Sequence, residues 1–342
     1  MIRLPLRILN WVALVGLLLS YTAPFISPKI SWIIALLGLT YNAWFVAVVL
    51  LLVLGLVFKT KMVLTNLIVL AIGAPLLFRT ISIGSPKTGE GDLKVVSFNA
   101  YALGNIDNRD TKDEIDTYLE GNQVDVASFA EWRFQRGKTN ATKYPYQASF
   151  PSVPGHYAGI IMISKWPIVA KGRVPFTEKS YNQACFIDIK RNGKIIRIYG
   201  LHLETTRVKS YDYHNLKSLQ FDSVYNTKAK NLMSRLKYSM RKRAGQVEDI
   251  INHMKACTYP IILMGDFNDT PQSYTYQMLQ VGKKDAFIEG FQGFDATYLK
   301  PIPFLRIDHI LYDETAFSCV RYKSTKGIYS DHKLIFAELK IH

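Results

Sequence analysis

The distribution of acidic residues along the chain is the feature that most limits how it can fold. The first 86 residues contain no Asp or Glu, although the 342-residue chain has 27 of them. The same region contains six cations: Arg3, Arg7, Lys29, Lys59, Lys61 and Arg79. A helical region that faced water on all sides would carry charges of both signs on its surface. The sequence therefore predicts that residues 1–83 form a membrane anchor.

Three apolar stretches make up the predicted anchor. They run from about Ile8 to Ile26, from about Ile30 to Phe58 and from about Met62 to Ile83. Because about 20 apolar residues cross the hydrocarbon core of a bilayer, we expect two to three transmembrane helices. The second stretch exceeds one span, so we expect an interfacial or re-entrant piece over 31–39 and a span over 41–58.

Basic residues at the ends of these stretches predict their orientation. Arg3 and Arg7 precede the first stretch, and Lys59 and Lys61 lie between the second and the third. Cytoplasmic flanks of membrane spans carry an excess of Lys and Arg. We therefore expect a multi-pass protein of the cell membrane, with the residues after about 84 on the periplasmic side. Three cations oppose this orientation: Lys29, Arg79 and Lys87. Residues 84–92, rich in Gly, Pro and Ser, predict a linker.

The part of the chain beyond this linker, residues 93–342, has a different composition and is long enough to bury a core of its own. From residue 87 onward the chain contains all 27 acidic residues and 36 of the 42 Lys and Arg residues, so residues 87–342 have a formal net charge of +9. A positive charge favours polyanionic partners, among them nucleic acid, phosphorylated small molecules and anionic lipid. The three cysteines show no CxxC spacing, which argues against a zinc or redox motif.

Polar residues recur at the ends of the strands predicted in residues 93–342. The apolar patterns predict strands over 93–98, 124–129, 159–163, 185–189, 194–201, 260–264, 306–312 and 334–339, and helices over 113–121 and 245–255. The polar residues in question are Asn99, Glu131, His202, Asp266, Asn268, Asp308 and His332. A single one of them is usually a turn residue. Their repetition, always as metal-ligand or acid–base types, predicts one functional site.

The motifs that contain these residues resemble those of the endonuclease/exonuclease/phosphatase superfamily. Gly265-Asp266-Phe267-Asn268 is similar to its GDFN signature. The other matching motifs occur in the family order: Ser97-Phe98-Asn99, Glu131, Gly200-Leu201-His202-Leu203, then GDFN, Arg306-Ile307-Asp308-His309-Ile310 and Ser330-Asp331-His332. The resemblance implies that residues 93–342 form a four-layered α/β sandwich of two mixed sheets flanked by helices. It also implies the metal-dependent hydrolysis of phosphate esters.

The resemblance assigns a metal site and its ligands. It implies that Glu131 is the principal metal ligand, that Asn99 lies beside it, and that Asp331 completes the shell directly or through water. Oxygen ligands of this kind favour Mg²⁺ or Mn²⁺.

The resemblance also assigns catalytic roles to five residues. His332 would take a proton from the attacking water, and Asp308 would orient the imidazole of His332. Asp266 would act as a base or position the water, and Asn268 would bind a phosphoryl oxygen. His202 would contact the phosphate and protonate the leaving group. We expect a phosphate-ester substrate, either nucleic acid or a phospholipid headgroup, together with the lipid bilayer as partners, and no obligate protein partner.

A basic segment follows His202 and leaves three interpretations open. Residues 228–243 contain seven cations and no acid, a pattern that predicts a basic helix. This helix could bind a polyanionic substrate, lie on anionic lipid headgroups, or be a solvated surface. The alternative function for the whole chain is a catalytically silent, membrane-tethered module that binds polyanions. That alternative predicts the loss of metal and acid–base residues, whereas every expected position is filled.

Overall fold

The computed structural model describes residues 3–101, 109–134, 144–152, 158–206, 223–299, 305–326 and 330–342. The described residues form two compact units. The first unit draws on Met1–Thr80, Thr206–Ala244 and Asp269–Met278, and the second on Ile81–Thr205, Gly245–Asn268 and Leu279–His342. The expected division into an anchor over 1–83, a linker over 84–92 and a catalytic domain over 93–342 stays a prediction.

The regular elements described in the N-terminal part of the first unit are helices joined by turns. Its helices are α1 (Arg3–Ser20), α2 (Trp32–Leu39), α3 (Tyr41–Val57), α4 (Met62–Ile72) and α5 (Ala74–Leu77). Leu14 and Leu17 of α1 pack with Val48 and Leu51 of α3 in an apolar core. The second apolar stretch divides at Thr40, as expected, because α2 and α3 are bent by 61° relative to each other.

The lengths of these helices bear on the predicted membrane spans. Among the described residues, no helix taken singly combines the length and the apolar composition that crossing a bilayer requires. Helices α2 and α3 meet both requirements only as a bent pair. The predicted transmembrane helices are therefore not supported by any single helix.

The predicted basic helix is the first half of a much longer one, α7 (Ser223–Lys255). Its side chains divide by helical spacing: Leu232, Leu236 and Met240 are buried, whereas Lys230, Lys237 and Arg241 are exposed. Not all seven cations of this segment lie at the surface, because Lys242 and Arg243 are buried. Residues 207–222 of the expected insertion lie outside the described residues.

The second unit contains the strands and the remaining helices. Its elements are β1 (Ile81–Ser82), β2 (Leu93–Asn99), α6 (Arg109–Gly121), β3 (Val126–Arg133), β4 (Tyr146–Pro151), β5 (Ala158–Ser164), β6 (Ile168–Arg173), β7 (Gln183–Arg191), β8 (Lys194–His202), β9 (Ile261–Asp266), β10 (Lys283–Asp285), α9 (Ala286–Gly290), β11 (Gly293–Phe294), β12 (Asp308–Asp313), β13 (Phe317–Lys326) and β14 (Lys333–Ile341). One further helix, α8 (Tyr274–Gln280), precedes β10.

The strands form two six-stranded sheets with the same internal pattern. One sheet has the order β13-β14-β2-β3-β5-β4 and the other the order β10-β12-β9-β8-β7-β6. In each sheet the central pair, β2 with β3 or β8 with β9, is parallel and the other pairs are antiparallel. The expected α/β fold with two mixed sheets is confirmed.

The two sheets enclose the main apolar core. Val95 and Val126 from one sheet cluster with Ile198 and Ile262 from the other. The outer face of the first sheet is covered by α6, which contributes Ile115 and Leu119. On the outer face of the second sheet, Tyr199 shares a hydrogen bond of 2.8 Å with His253 of α7.

The predicted linker makes backbone hydrogen bonds to the sheets of the second unit. Lys87 N donates to Val320 O at 2.7 Å, and Asp92 N donates to Leu339 O at 2.8 Å. Gly91 N donates to a carboxylate oxygen of Glu338, also at 2.8 Å. These bonds fix the path of the chain as it enters β2.

Candidate active site

The ends of the central strands bring the polar residues together. Both parallel pairs end at one edge: β2 ends at Asn99, and the ends of β8 and β9 place His202 opposite Asp266 in register. The antiparallel strand β12 begins at that edge, with Asp308 opposite Asp266. His332 directly precedes β14, which runs antiparallel to β2. The carboxyl ends of parallel strands are common positions for sites in α/β folds.

Asp308 and His332 form a buried pair. His332 Nδ1 lies 2.9 Å from Asp308 Oδ2, and the two residues are 5% and 1% exposed. Because a carboxylate can only accept, Nδ1 carries the hydrogen and Nε2 faces the opposite direction. Nε2 lies 3.8 Å from Asp266 Oδ2. The imidazole of His332 therefore stands between two carboxylates.

Asn99 joins this pair to the more exposed carboxylate of Glu131. The Asn99 Nδ2 group donates to Asp266 Oδ2 at 3.0 Å and to Glu131 Oε1 at 3.3 Å. Asn99 Oδ1 accepts a hydrogen bond from the Tyr101 backbone amide. In this orientation the Asn99 side chain is a donor to both carboxylates, and its oxygen is already in use.

Glu131 owes its position to a β-bulge. The sequence predicts a strand that stops at Phe129, but β3 continues to Arg133, and its register with β5 shifts between Phe129 and Trp132. Glu131 has a φ of 52°, a conformation that is costly for a residue with a Cβ. A bulge of this kind redirects a side chain out of the regular alternation. The Glu131 carboxylate lies 3.5 Å from His202 Nε2 as a result.

The GDFN segment places Asp266 and Asn268 on one tight turn. Asn268 N donates to Asp266 Oδ1 at 2.8 Å, and Asn268 Nδ2 donates to Leu203 O at 3.1 Å. Gly265 has a φ of 150°, and a Cβ there would overlap the Leu201 carbonyl oxygen. Only glycine satisfies both requirements. The first residue of the signature is therefore needed for the close approach of β9 to β8.

The segment that precedes β14 is fastened to β2. Ser330 Oγ donates to Asn99 O at 2.7 Å and accepts from His332 N at 3.0 Å. Asp331 O accepts from Leu299 N at 2.7 Å. All eight residues expected in the site thus lie at this edge of the two sheets. Asp331 is placed there because it directly precedes His332 in the chain.

Two residues of the site carry no recognisable signal in the sequence. Thr297 Oγ1 accepts from the backbone amides of Ile307 and Asp308, each at 3.0 Å, and this holds the start of β12. The ring of Tyr298 lies 5.1 Å from the ring of His332. Both residues lie in an irregular segment without apolar periodicity, so only the folded structure identifies them.

The electrostatics of the site favour a proton on His332. Burial favours the neutral imidazole, but the carboxylates of Asp308, Asp266 and Asp331 outweigh burial and raise the pKa of His332 to about 10. Burial raises the pKa of Asp266 to about 6, although His332 and Asn99 favour its ionised form. At neutral pH the site therefore contains an imidazolium between two carboxylates.

The donor set of the site suits a hard divalent cation. Carboxylate oxygens of Asp266 and Asp308 lie within 4.8 Å of each other and of a ring nitrogen of His332. Asp308 Oδ1 is buried and has no hydrogen-bond partner among the described residues. Glu131 adds a carboxylate that is one-third exposed. A concentration of carboxylate oxygens with one left unsatisfied fits an ion such as Mg²⁺ or Mn²⁺.

Comparison with family models divides the chain in two. Residues 96–332 match the model described as Endonuclease/Exonuclease/phosphatase family. Residues 4–80 match a different model, described as Domain of unknown function (DUF8431). No curated protein sequence matches the chain.

Solved structures resemble the fold at low sequence identity. A family protein from Leptotrichia buccalis is 16% identical at a TM-score of 0.52, with 72% of this chain and 99% of that chain covered. TDP2 from D. rerio, complexed with a single-strand DNA product, is 17% identical at a TM-score of 0.54, with 72% and 98% covered. A mannosyl-6-phosphatase from Bacteroides thetaiotaomicron is 17% identical at a TM-score of 0.50, with 72% and 99% covered. These likenesses concern the fold alone.

Proposed function

Since the chain belongs to the endonuclease/exonuclease/phosphatase family, whose model matches more than half of it, we propose that it hydrolyses phosphate esters by the attack of water on phosphorus. One observation supports this most strongly. An unbroken series of contacts runs from Asp308 through His332, Asp266 and Asn99 to Glu131. A silent binding module has no need of such a series, because burying ionisable groups costs stability, and Asp308, His332 and Asp266 are all buried.

The proton of the attacking water is taken up by the Asp266–His332 pair. The pKa of Asp266, about 6, is close to the value at which a general base works best near neutral pH. The imidazolium of His332, held by Asp308, stabilises the negative charge that develops on the phosphoryl oxygens. Water thus loses one proton to the pair as its oxygen bonds to phosphorus and the ester oxygen departs.

His202 and Asn268 act on the other atoms of the ester. His202 Nε2 is on the solvent-accessible side of the site beside Glu131, where it can give a proton to the departing oxygen. Asn268 uses one amide hydrogen for Leu203 O, which leaves its second amide hydrogen for a phosphoryl oxygen.

The divalent ion would be held by Glu131, with Asp331 and the side-chain amide oxygen of Asn99 beside it. When bound, it supplies positive charge against the phosphate. Rotation of the Asn99 amide would have to accompany binding, because the amide nitrogen now faces Glu131. The carboxylate of Glu131 keeps an exposed surface through which an ion can enter.

The first unit supports a further part of the proposal, that the protein lies in the cell membrane. Each long N-terminal helix presents an exposed apolar stripe: Ile8, Trp11 and Val15 on α1, Val46, Leu50, Val53 and Val57 on α3, and Leu64, Ile68 and Ile72 on α4. Apolar surface of this extent is costly in water, at about 25 cal/mol per Å². Lipid is the partner whose chemistry matches all three stripes.

Two experiments test these proposals. Full-length protein in detergent with Mn²⁺ should hydrolyse at least one of DNA, RNA, sphingomyelin, phosphatidylinositol phosphates and bis(4-nitrophenyl) phosphate, and the pattern separates nucleic acid from phospholipid headgroups. No hydrolysis of any of them would favour the silent module. Protease added to intact spheroplasts should cleave the second unit if it is periplasmic. Cleavage only after lysis would reverse the orientation.

A further inference from the structure

The segment that follows the catalytic Asn268 belongs to the first unit. The chain passes from Asn268, in the second unit, directly to Asp269, in the first. Residues Asp269–Met278 group with the N-terminal helices and with the first half of α7. A residue that is proposed to contact the phosphoryl group is therefore followed, without any spacer, by a segment whose contacts lie in the N-terminal part of the chain.

Gln272 is the centre of these contacts. It is 1% exposed, and its Nε2 group donates to Leu76 O at 3.1 Å and to Thr80 Oγ1 at 2.5 Å. Both amide hydrogens are thus used by residues at the end of the helical N-terminal region. A Cβ at Gly38 would lie 3.2 Å from Gln272 O, so the backbone of α2 passes close to the same residue.

Arg79 adds a second connection to the same segment. Its guanidinium donates to Gln277 Oε1 at 2.6 Å and to Pro271 O at 3.4 Å, and it lies 5.8 Å from the centre of the Tyr276 ring. An Arg that contacts a carbonyl, an amide and an aromatic ring holds both ends of a short segment, because its planar group presents donors in several directions.

Asp269 is held in place by one residue of α7 and one of α8. Its Oδ2 accepts from Arg243 Nε at 3.0 Å and from Thr275 Oγ1 at 2.9 Å, and the Arg243 side chain is fully buried. Removal of one partner of a buried ion pair leaves an uncompensated charge, so such a pair strongly favours a single arrangement. Asp269 is the residue next to Asn268, whose own φ is 52°.

We propose that the N-terminal helices act as a positioning element for the catalytic turn, through the hydrogen bonds of Gln272 to Leu76 and Thr80. The left-handed backbone at Asn268 costs free energy and persists only where its surroundings enforce it. Gln272 ties the segment that begins directly after Asn268 to residues 76–80. Gln272 touches neither the substrate nor the reacting atoms in this assignment. It is a positioning residue, and its effect rests on the proposed role of Asn268.

The test uses the full-length protein in detergent. Gln272→Met keeps the length of the side chain but removes both donors, and Thr80→Val removes one acceptor with less risk to folding. The matched control is Tyr21→Phe, which deletes the hydrogen bond from Tyr21 to Val69 O within the same helices but leaves residues 269–278 untouched. Hydrogen exchange of peptides covering 261–278, and turnover of bis(4-nitrophenyl) phosphate with Mn²⁺, are measured for each variant.

We expect faster exchange in the 266–273 region and a kcat lower by roughly 10-fold in Gln272→Met, with a smaller change of both in Thr80→Val and none in Tyr21→Phe. In an Asn268→Ala background, Gln272→Met should cause no further loss of kcat, because its effect passes through Asn268. Unchanged exchange in both variants would overturn the proposal. Additive losses of kcat from Gln272→Met and Asn268→Ala in the double variant would also overturn it. If the wild type hydrolyses nothing, the proposed function fails, and the exchange data still decide whether the helices hold the turn.

Discussion

The Asn99 side-chain nitrogen lies 3.0 Å from Asp266 Oδ2, so a residue of one sheet donates a hydrogen bond to a carboxylate of the other. This bond favours the ionised form of Asp266 and opposes the effect of burial on its pKa. In Asn99→Ala the pKa of Asp266 should rise further. The acid limb of the profile of kcat/KM against pH should then move to higher pH, while Ser164→Ala, a buried polar residue on β5, should leave it in place. An unshifted acid limb in Asn99→Ala would remove Asp266 from the role of base.

Glu131 should be essential for the effect of a divalent ion. Glu131→Gln keeps the shape of the side chain but removes its charge, so turnover should fall by roughly 100-fold or more and the Mn²⁺ concentration needed for half-maximal activity should rise. Thermal unfolding should change little, because this side chain is one-third exposed. Wild-type turnover in excess chelator would contradict the prediction.

Asp308 and His332 should behave as one functional unit. They share a bond of 2.9 Å, so either His332→Ala or Asp308→Ala alone removes what the pair contributes. We expect the double variant to lose about as much kcat as either single variant. Strictly additive losses in the double-mutant cycle would show that the two residues act independently.

The charge on His332 predicts how stability depends on pH in the absence of ions. The folded pKa of His332 is raised from 6.5 to about 10, so the folded state binds this proton more tightly than the unfolded state does. The stabilisation is fully present below about pH 6.5 and is lost as pH rises through the folded pKa. In EDTA the wild-type Tm should fall between pH 7 and pH 10. His332→Asn should show a shallower fall, and parallel curves for the two proteins would count against a raised pKa.

The exposed cations of α7 should govern binding of polyanions and leave chemistry unchanged. Lys230, Lys237 and Arg241 lie on one face of the helix and are exposed. Replacing all three with Gln should raise KM for single-stranded DNA and lower the salt dependence of log KM by about 2 in slope. The rate on bis(4-nitrophenyl) phosphate should not change.

A charge-matched control for this variant lies in the second unit. Lys171, Lys190 and Lys194 are exposed there, and their replacement with Gln removes the same charge from a different surface. Equal effects of the two triple variants would assign the result to net charge alone. A fall of kcat on the small ester would place α7 in the catalytic machinery.

The strands that carry the site could be predicted because the apolar run and the polar residue at its end are both features of the local sequence. β2, β8 and β9 are short apolar runs that end in polar residues, and the structure extends each by at most two residues beyond its prediction. The edge strands β4 and β6 were not predicted. Residues of β6 are mostly exposed, since an edge strand with a solvated face needs little apolar sequence.

Other features depend on contacts that a sequence pattern does not contain. Arg243 looks like the other cations of its segment, yet it is buried against Asp269, a partner distant in sequence. The position of Glu131 depends on a bulge set by pairing with β5. Gln272 has no motif at all, because its role comes from the two acceptors at residues 76 and 80.

The pairing of β14 with β2 delays the assembly of the candidate site during biosynthesis. Ser330 and Asn99, joined by a hydrogen bond, stand 231 positions apart. Asn99 therefore leaves the ribosome long before Ser330 and His332 are made. At about 5–20 residues per second, the nascent chain spends many seconds with one sheet lacking two of its strands. A nascent chain that has not yet reached Ser330 and His332 therefore lacks both the hydrogen bond to Asn99 and the buried pair of His332 with Asp308.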